Sequence, residues 1–62
     1  MTHETDDRLR KFRHDIANPL AALLAEAQLL LLNADRLDPE TLSGLKEVER
    51  LALRMRDLLK TA

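Results

Sequence analysis

Asn33-Ala34-Asp35-Arg36-Leu37-Asp38-Pro39-Glu40 is the stretch on which the fold turns, because it is where a helical pattern lapses and restarts. Asp38 suits a helix N-cap, where a carboxylate accepts orphan backbone N–H groups. Pro39 suits the first helical position, where no N–H is needed. Glu40 follows in the first turn, where the helix dipole favours negative charge. A helix is therefore expected to start at Pro39, with a separate element ending near Asn33.

Upstream of the break, Leu9, Phe12, Ile16, Leu20, Leu23, Ala27 and Leu30 recur in steps of three or four. That spacing makes one stripe of a helix expected from about Asp6 to Asn33, with Thr5 or Asp6 as its cap. Downstream, Leu45, Val48, Ala52, Met55 and Leu59 form a second stripe, widened by Leu42, Leu51 and Leu58. This helix is expected to run from Pro39 to about Lys60. Gly44 weakens it by roughly 1 kcal/mol relative to alanine, and a close helix approach is one use for it. Glu47 with Arg50 and Arg54 with Asp57 are expected surface pairs, each worth little.

A short loop between long helices implies an antiparallel hairpin. The expected fold class is all-α, one domain over residues 1–62 with the loop at residues 34–38. Two helices alone leave their stripes half covered, and pairing two hairpins into a four-helix bundle covers them. Size argues the same way. A 62-residue chain builds a limited core, and without cysteine it has no disulfide to help. His3 and His14 are too far apart to act as a metal pair, so no metal site is expected. A homodimer is the remaining route.

Ten basic residues against eleven acidic ones, with Phe12 the sole aromatic, leave no nucleic-acid footprint. Arg8, Arg10, Lys11 and Arg13 do cluster. Two readings stay open for them: a solvated helix turn, or a phosphate-attracting patch beside His14. The leucine run at residues 29–32 is much too short to span a bilayer, and the polar, acidic start does not read as a signal peptide. A cytoplasmic segment without membrane contact is expected, any anchor of a parent chain lying elsewhere.

His14 is the residue that invites chemistry. At ~100° per residue it falls roughly 155° from the centre of the first stripe, which puts it on the solvent face. Asn18 lies one turn on, and Ala21, Ala22 and Ala25 continue that surface. Small side chains there admit a close partner, although alanine is also simply a good helix former. Asp15 adjoins His14 and can orient an imidazole and stabilise the charge that develops on it. Pro19 either starts a new helix after Asn18 or bends a continuous one. The stripe stays in phase across it, which favours the continuous, bent helix.

His14-Asp15-Ile16-Ala17-Asn18-Pro19-Leu20 resembles the H-box of sensor histidine kinases: His, then Glu or Asp, two variable residues, Asn or Thr, Pro and Leu. From about Leu9 to Leu59 the chain is similar to that family's dimerisation and histidine-phosphotransfer domain. The resemblance implies that His14 accepts the γ-phosphate of ATP through Nε2 and passes it to a response-regulator aspartate. It implies that Asp15 is the general base or orienting group, that Asn18 serves dephosphorylation of the regulator, and that Pro19 supplies a bend. Ala17 departs from the pattern, standing where many relatives carry a polar or basic residue.

The family's glycine-rich nucleotide boxes have no counterpart here, Gly44 being the single glycine. No cofactor is expected on this segment. ATP with magnesium would come through a separate catalytic domain, and the segment alone is expected to be inert as a kinase. The expected partners are a second copy, that ATP-binding domain and a response-regulator receiver domain, the receiver docking below His14 and against the second helix. Leu24, Leu29 and Leu32, off the main stripe, are candidates for that docking surface or for the dimer core near the loop. Two alternatives use the same stripes. One is a non-catalytic helical dimerisation module, such as a pseudokinase. The other is a phosphorelay intermediate charged by a receiver domain.

Overall fold

The computed structural model describes residues 2–61. Helix α1 spans Thr2–Leu31, a 3-10 turn spans Ala34–Arg36, and helix α2 spans Pro39–Thr61. They form a helical hairpin within a rod of 53 × 15 × 12 Å.

The turn is built as the sequence suggests. Asp38 Oδ1 accepts the backbone N–H of Thr41 at 2.7 Å, and the Asp38 carbonyl accepts that of Leu42 at 2.9 Å. Asp38 is thus the N-cap of α2 and Pro39 its first residue. The Thr41 N–H foremost, with the Thr41 side chain and the Glu40 N–H, holds the Asp38 carboxyl below its ordinary pKa. Leu37, extended at φ −93° and ψ 142°, turns the chain into that cap.

Helix α1 corrects the expected ends. It already includes Thr5 and Asp6, so neither is its cap. Nothing between residues 2 and 8 stops a helix: there is no Pro or Gly, Glu4 lies in the favourable first turn, and Asp7 and Arg10 approach to 3.7 Å across one turn. At the other end the helix tightens. Leu32 N–H reaches the carbonyls of both Gln28 and Leu29, and Asn33 N–H that of Leu30. The helix runs unbroken through Pro19, as the phase of the stripe suggested. With no N–H on Pro19, the Asp15 carbonyl lacks its helical donor.

The core is the seam between the helices. Leu20, Leu24, Ala27 and Ala52 are buried, with Leu53 and Leu59 packed against them. Alanine at residues 27 and 52 lets the two backbones approach. Gln28 Nε2 donates to Glu49 Oε2 at 3.2 Å across the two helices, which marks their antiparallel register. Continued along the helices, that register sets Ala17 level with Lys60 and Ile16 level with Thr61, so that His14 lies just beyond the end of α2. The first three turns of α1 therefore overhang the hairpin, and residues 3–12 are all exposed.

This seam is not the stripe read from periodicity. Leu20 and Ala27 belong to both, but Leu24 is in the core while Leu23 is 52% exposed. Phe12, Leu30, Val48 and Met55 are exposed too. By ~100° steps, Phe12, Leu23 and Leu30 lie roughly 60–80° to one side of the α1 seam. Val48 and Met55 lie roughly 80–100° to the matching side of the α2 seam. In an antiparallel pair those offsets point the same way, so both sets share one face of the hairpin. The spacing predicted one broad stripe where the fold has two, an inner seam and an outer apolar face. Of the other leucines off the stripe, Leu29 is 56% and Leu32 79% exposed.

The remaining details divide. Glu47 and Arg50 pair as expected, through two bonds of 2.6 and 2.8 Å. Asp57 lies 3.7 Å from its neighbour Arg56 instead of pairing with Arg54. A Cβ at Gly44 would meet nothing within 4 Å, so no close approach inside this hairpin requires the glycine. Among the described residues no helix is long and apolar enough to cross a membrane.

Candidate functional site

His14 is exposed, on the continuous helix between the overhang and the paired part of α1. Measured from the true seam its direction is roughly 115° away, less than the sequence suggested. The reason is the position of Leu24, which draws the seam toward the His14 side. His14 is therefore beside the cleft between the helices, on the opposite face from Phe12, Leu23 and Met55.

It borders an open groove of about 550 Å³. One wall is α1, through Arg10, Arg13, His14, Ala17, Ala21, Ala25 and Gln28. The other is α2, through Arg56, Leu59 and Lys60, and Leu20 and Leu24 lie at the bottom. The alanines keep the α1 wall low, so a partner backbone can come within reach of His14. Ala22, in contrast, does not line it.

Asp15 is exposed and committed elsewhere. Lys11 Nζ donates to Asp15 Oδ2 at 2.7 Å, one turn back along the helix. The carboxylate raises the Lys11 pKa, mainly through that hydrogen bond. An exposed pair of this kind is weak and screened by salt, so Asp15 can turn to another partner at small cost. Asn18 is exposed one turn beyond His14, roughly 40° around the helix from it. His14 and Asn18 thus share a side, whereas Asp15 points away from the groove.

One pairing and two residues were not read from the sequence. Lys11 holds Asp15, and its i,i+4 spacing was the available signal. Arg56 and Lys60 come from the far end of the chain. Only the antiparallel register of the hairpin brings them onto the groove that His14 borders. Among the described residues there is no group of three or more His, Cys, Asp or Glu that could hold a metal ion. No family model, curated protein or solved structure matches the chain.

Proposed function

We propose that this chain is the dimerisation and phosphoacceptor domain of a two-component sensor histidine kinase. The observation that carries the reading is the placement of the His14-to-Leu20 motif. Its histidine is exposed at the mouth of a groove, while the hairpin's spare apolar surface faces the other way. A phosphoacceptor needs that separation: one face must admit donor and acceptor domains while the other holds the scaffold together.

In this mechanism the His14 Nε2 lone pair attacks the γ-phosphorus of ATP held by a separate catalytic domain, and the bond to the bridging oxygen breaks to release ADP. Asp15, released from Lys11, accepts the Nδ1 hydrogen and stabilises the imidazolium. A regulator aspartate then takes the phosphoryl group. In-line positioning and charge stabilisation dominate such transfers, and a rigid helix supplies the positioning. Asn18 orients the water that later hydrolyses the regulator's acyl phosphate. By itself the chain, lacking a nucleotide site, is inert.

The second half of the proposal is a homodimer, two hairpins making a four-helix bundle. Gly44, Val48, Leu51, Met55 and Leu58 step by four and three along α2, as do Leu9, Phe12, Ile16, Pro19 and Leu23 by three and four along α1. Such heptad spacing beside an already filled seam is the pattern of a helix with two helical neighbours. Exposed apolar patches of this extent mark association surfaces.

The test supplies a cognate ATP-binding domain and radiolabelled ATP to the parent chain and to His14→Gln. Acid-labile, alkali-stable label is expected on the parent alone. Equal labelling of both would sink the reading. Label on neither, with an intact dimer, would favour the non-catalytic module.

A further inference from the structure

We propose that Arg10, Arg56 and Lys60 form an anion site that holds the phosphoryl group once it is on His14. The inference rests on the phosphoacceptor reading and adds to it which groups receive the charge.

The chain as a whole carries a net charge of −1. The groove beside His14 is lined by four cations, these three with Arg13, and by no carboxylate. Apart from His14 itself, Gln28, toward the loop, is the only other polar residue of the lining, and the four cations lie along the part of the groove between Arg10 and the level of Ala21. Of the nearby acids, Asp15 is held by Lys11 at 2.7 Å, while Asp7 and Asp57 lie 3.7 Å from Arg10 and Arg56, two cations of the site itself. The 3.7 Å pairs are exposed and long, so Arg10 and Arg56 can exchange them for a phosphoryl group. The walls and floor of Leu20, Leu24 and Leu59 exclude water from one side, which strengthens attraction between charges inside the groove.

Register matters as much as charge. Arg10 is one turn before His14 on α1, at the i,i+4 spacing that makes helix neighbours. Arg56 and Lys60 reach in from α2 and stand near Ala17 and Ala21, where α1 itself offers only methyl groups. The site therefore exists only in the closed hairpin. A long, planar guanidinium is also suited to two equatorial phosphoryl oxygens at once.

The test needs no kinase. Phosphoramidate phosphorylates histidine directly: an imidazole nitrogen attacks phosphorus, the P–N bond breaks, and ammonia leaves with the imidazole proton. The chain has two histidines, and His3 is an internal control, since Asp6 and Asp7 follow it at i,i+3 and i,i+4. The 31P signals, assigned with His3→Asn, are titrated against pH at low salt. The phosphoryl group on His14 is expected to titrate about half a unit to one unit below that on His3. Arg56→Gln is expected to raise the His14 value and leave His3 unchanged, while Arg56→Lys keeps most of the difference. Circular dichroism verifies that each variant remains helical. An Arg10→Gln, Arg56→Gln double variant with an unaltered His14 value would overturn the proposal, and so would labelling of His3 without His14. ATP-driven labelling of a His14 with no such depression would remove the anion site and leave the phosphoacceptor reading standing.

Discussion

The two long faces of the hairpin differ in what they lack. The groove face has charge, small side chains and an exposed imidazole, but few large apolar groups outside its floor. The opposite face has Phe12, Leu23, Leu30, Val48 and Met55 in the open. The contrast teaches that, for the proposed phosphoacceptor and dimer, a two-helix chain keeps its histidine approachable by directing its apolar surface elsewhere. Were Leu23 and Leu24 exchanged in direction, the sticky face and the His14 face would coincide, and self-association would bury the imidazole.

The sharpest way to break the contrast is to charge the apolar face. Leu23→Glu with Met55→Glu is expected to abolish the proposed dimerisation, because a carboxylate buried without a partner is penalised by several kcal/mol. Sedimentation would detect monomer at micromolar concentration. Persistent dimers would move the interface to the groove face and contradict the separation. The next largest effect lies in the seam. Leu24→Ala should destabilise the chain by about 2–4 kcal/mol through lost burial and a residual cavity. Leu29→Ala, at a residue 56% exposed, should change stability far less. Thermal melts of the pair measure how completely the inner seam differs from the outer surface.

The cap at Asp38 gives a smaller, pH-dependent effect. Asp38→Ala should lower the Tm by a few degrees near neutral pH, while Asp38→Asn, which keeps an acceptor, should lower it less. The folded-state pKa is depressed, mainly by the Thr41 N–H. The charged carboxylate's contribution is therefore fully present above the unfolded value and lost as pH falls through the folded one. The melts of parent and Asp38→Asn should converge as pH drops below about 4. A difference that stays constant down to pH 2 would mean the charge of Asp38 adds nothing.

Much of this architecture was legible in the residues, and what was hidden follows from one cause. Asp38-Pro39 announced its own geometry because a cap is local. Pro19 was correctly read as interior because its neighbours stay in phase. The exposure of His14 was legible for the same reason. The division of the apolar residues into seam and outer face was not, because periodicity reports that a residue is apolar without saying which neighbour covers it. Leu23 and Leu24 are adjacent and chemically identical, and only α2 distinguishes them. The start of α1 was hidden because acidic residues favour both a cap and a first turn. Arg56 and Lys60 were hidden because they become neighbours of His14 only through the register of the whole hairpin.

Gly44 provides the finest test of the contrast, because two principles predict opposite signs for it. As an isolated helical residue it is a defect, and Gly44→Ala should add helicity worth about 0.5–1 kcal/mol. The hairpin raises no objection, since the added methyl would meet open space within 4 Å. Yet Gly44 is one turn before Val48 in the spacing that runs on through Leu51, Met55 and Leu58, on the side of α2 that the proposed dimer covers. If a second hairpin approaches there, the methyl that helps the helix obstructs the partner. The expected outcome is therefore split: circular dichroism of Gly44→Ala shows more helix, while sedimentation shows self-association weakened severalfold. Tighter association alongside the gain in helix would place Gly44 outside the shared face, and would confine the dimer contact to the half of α2 nearer Met55.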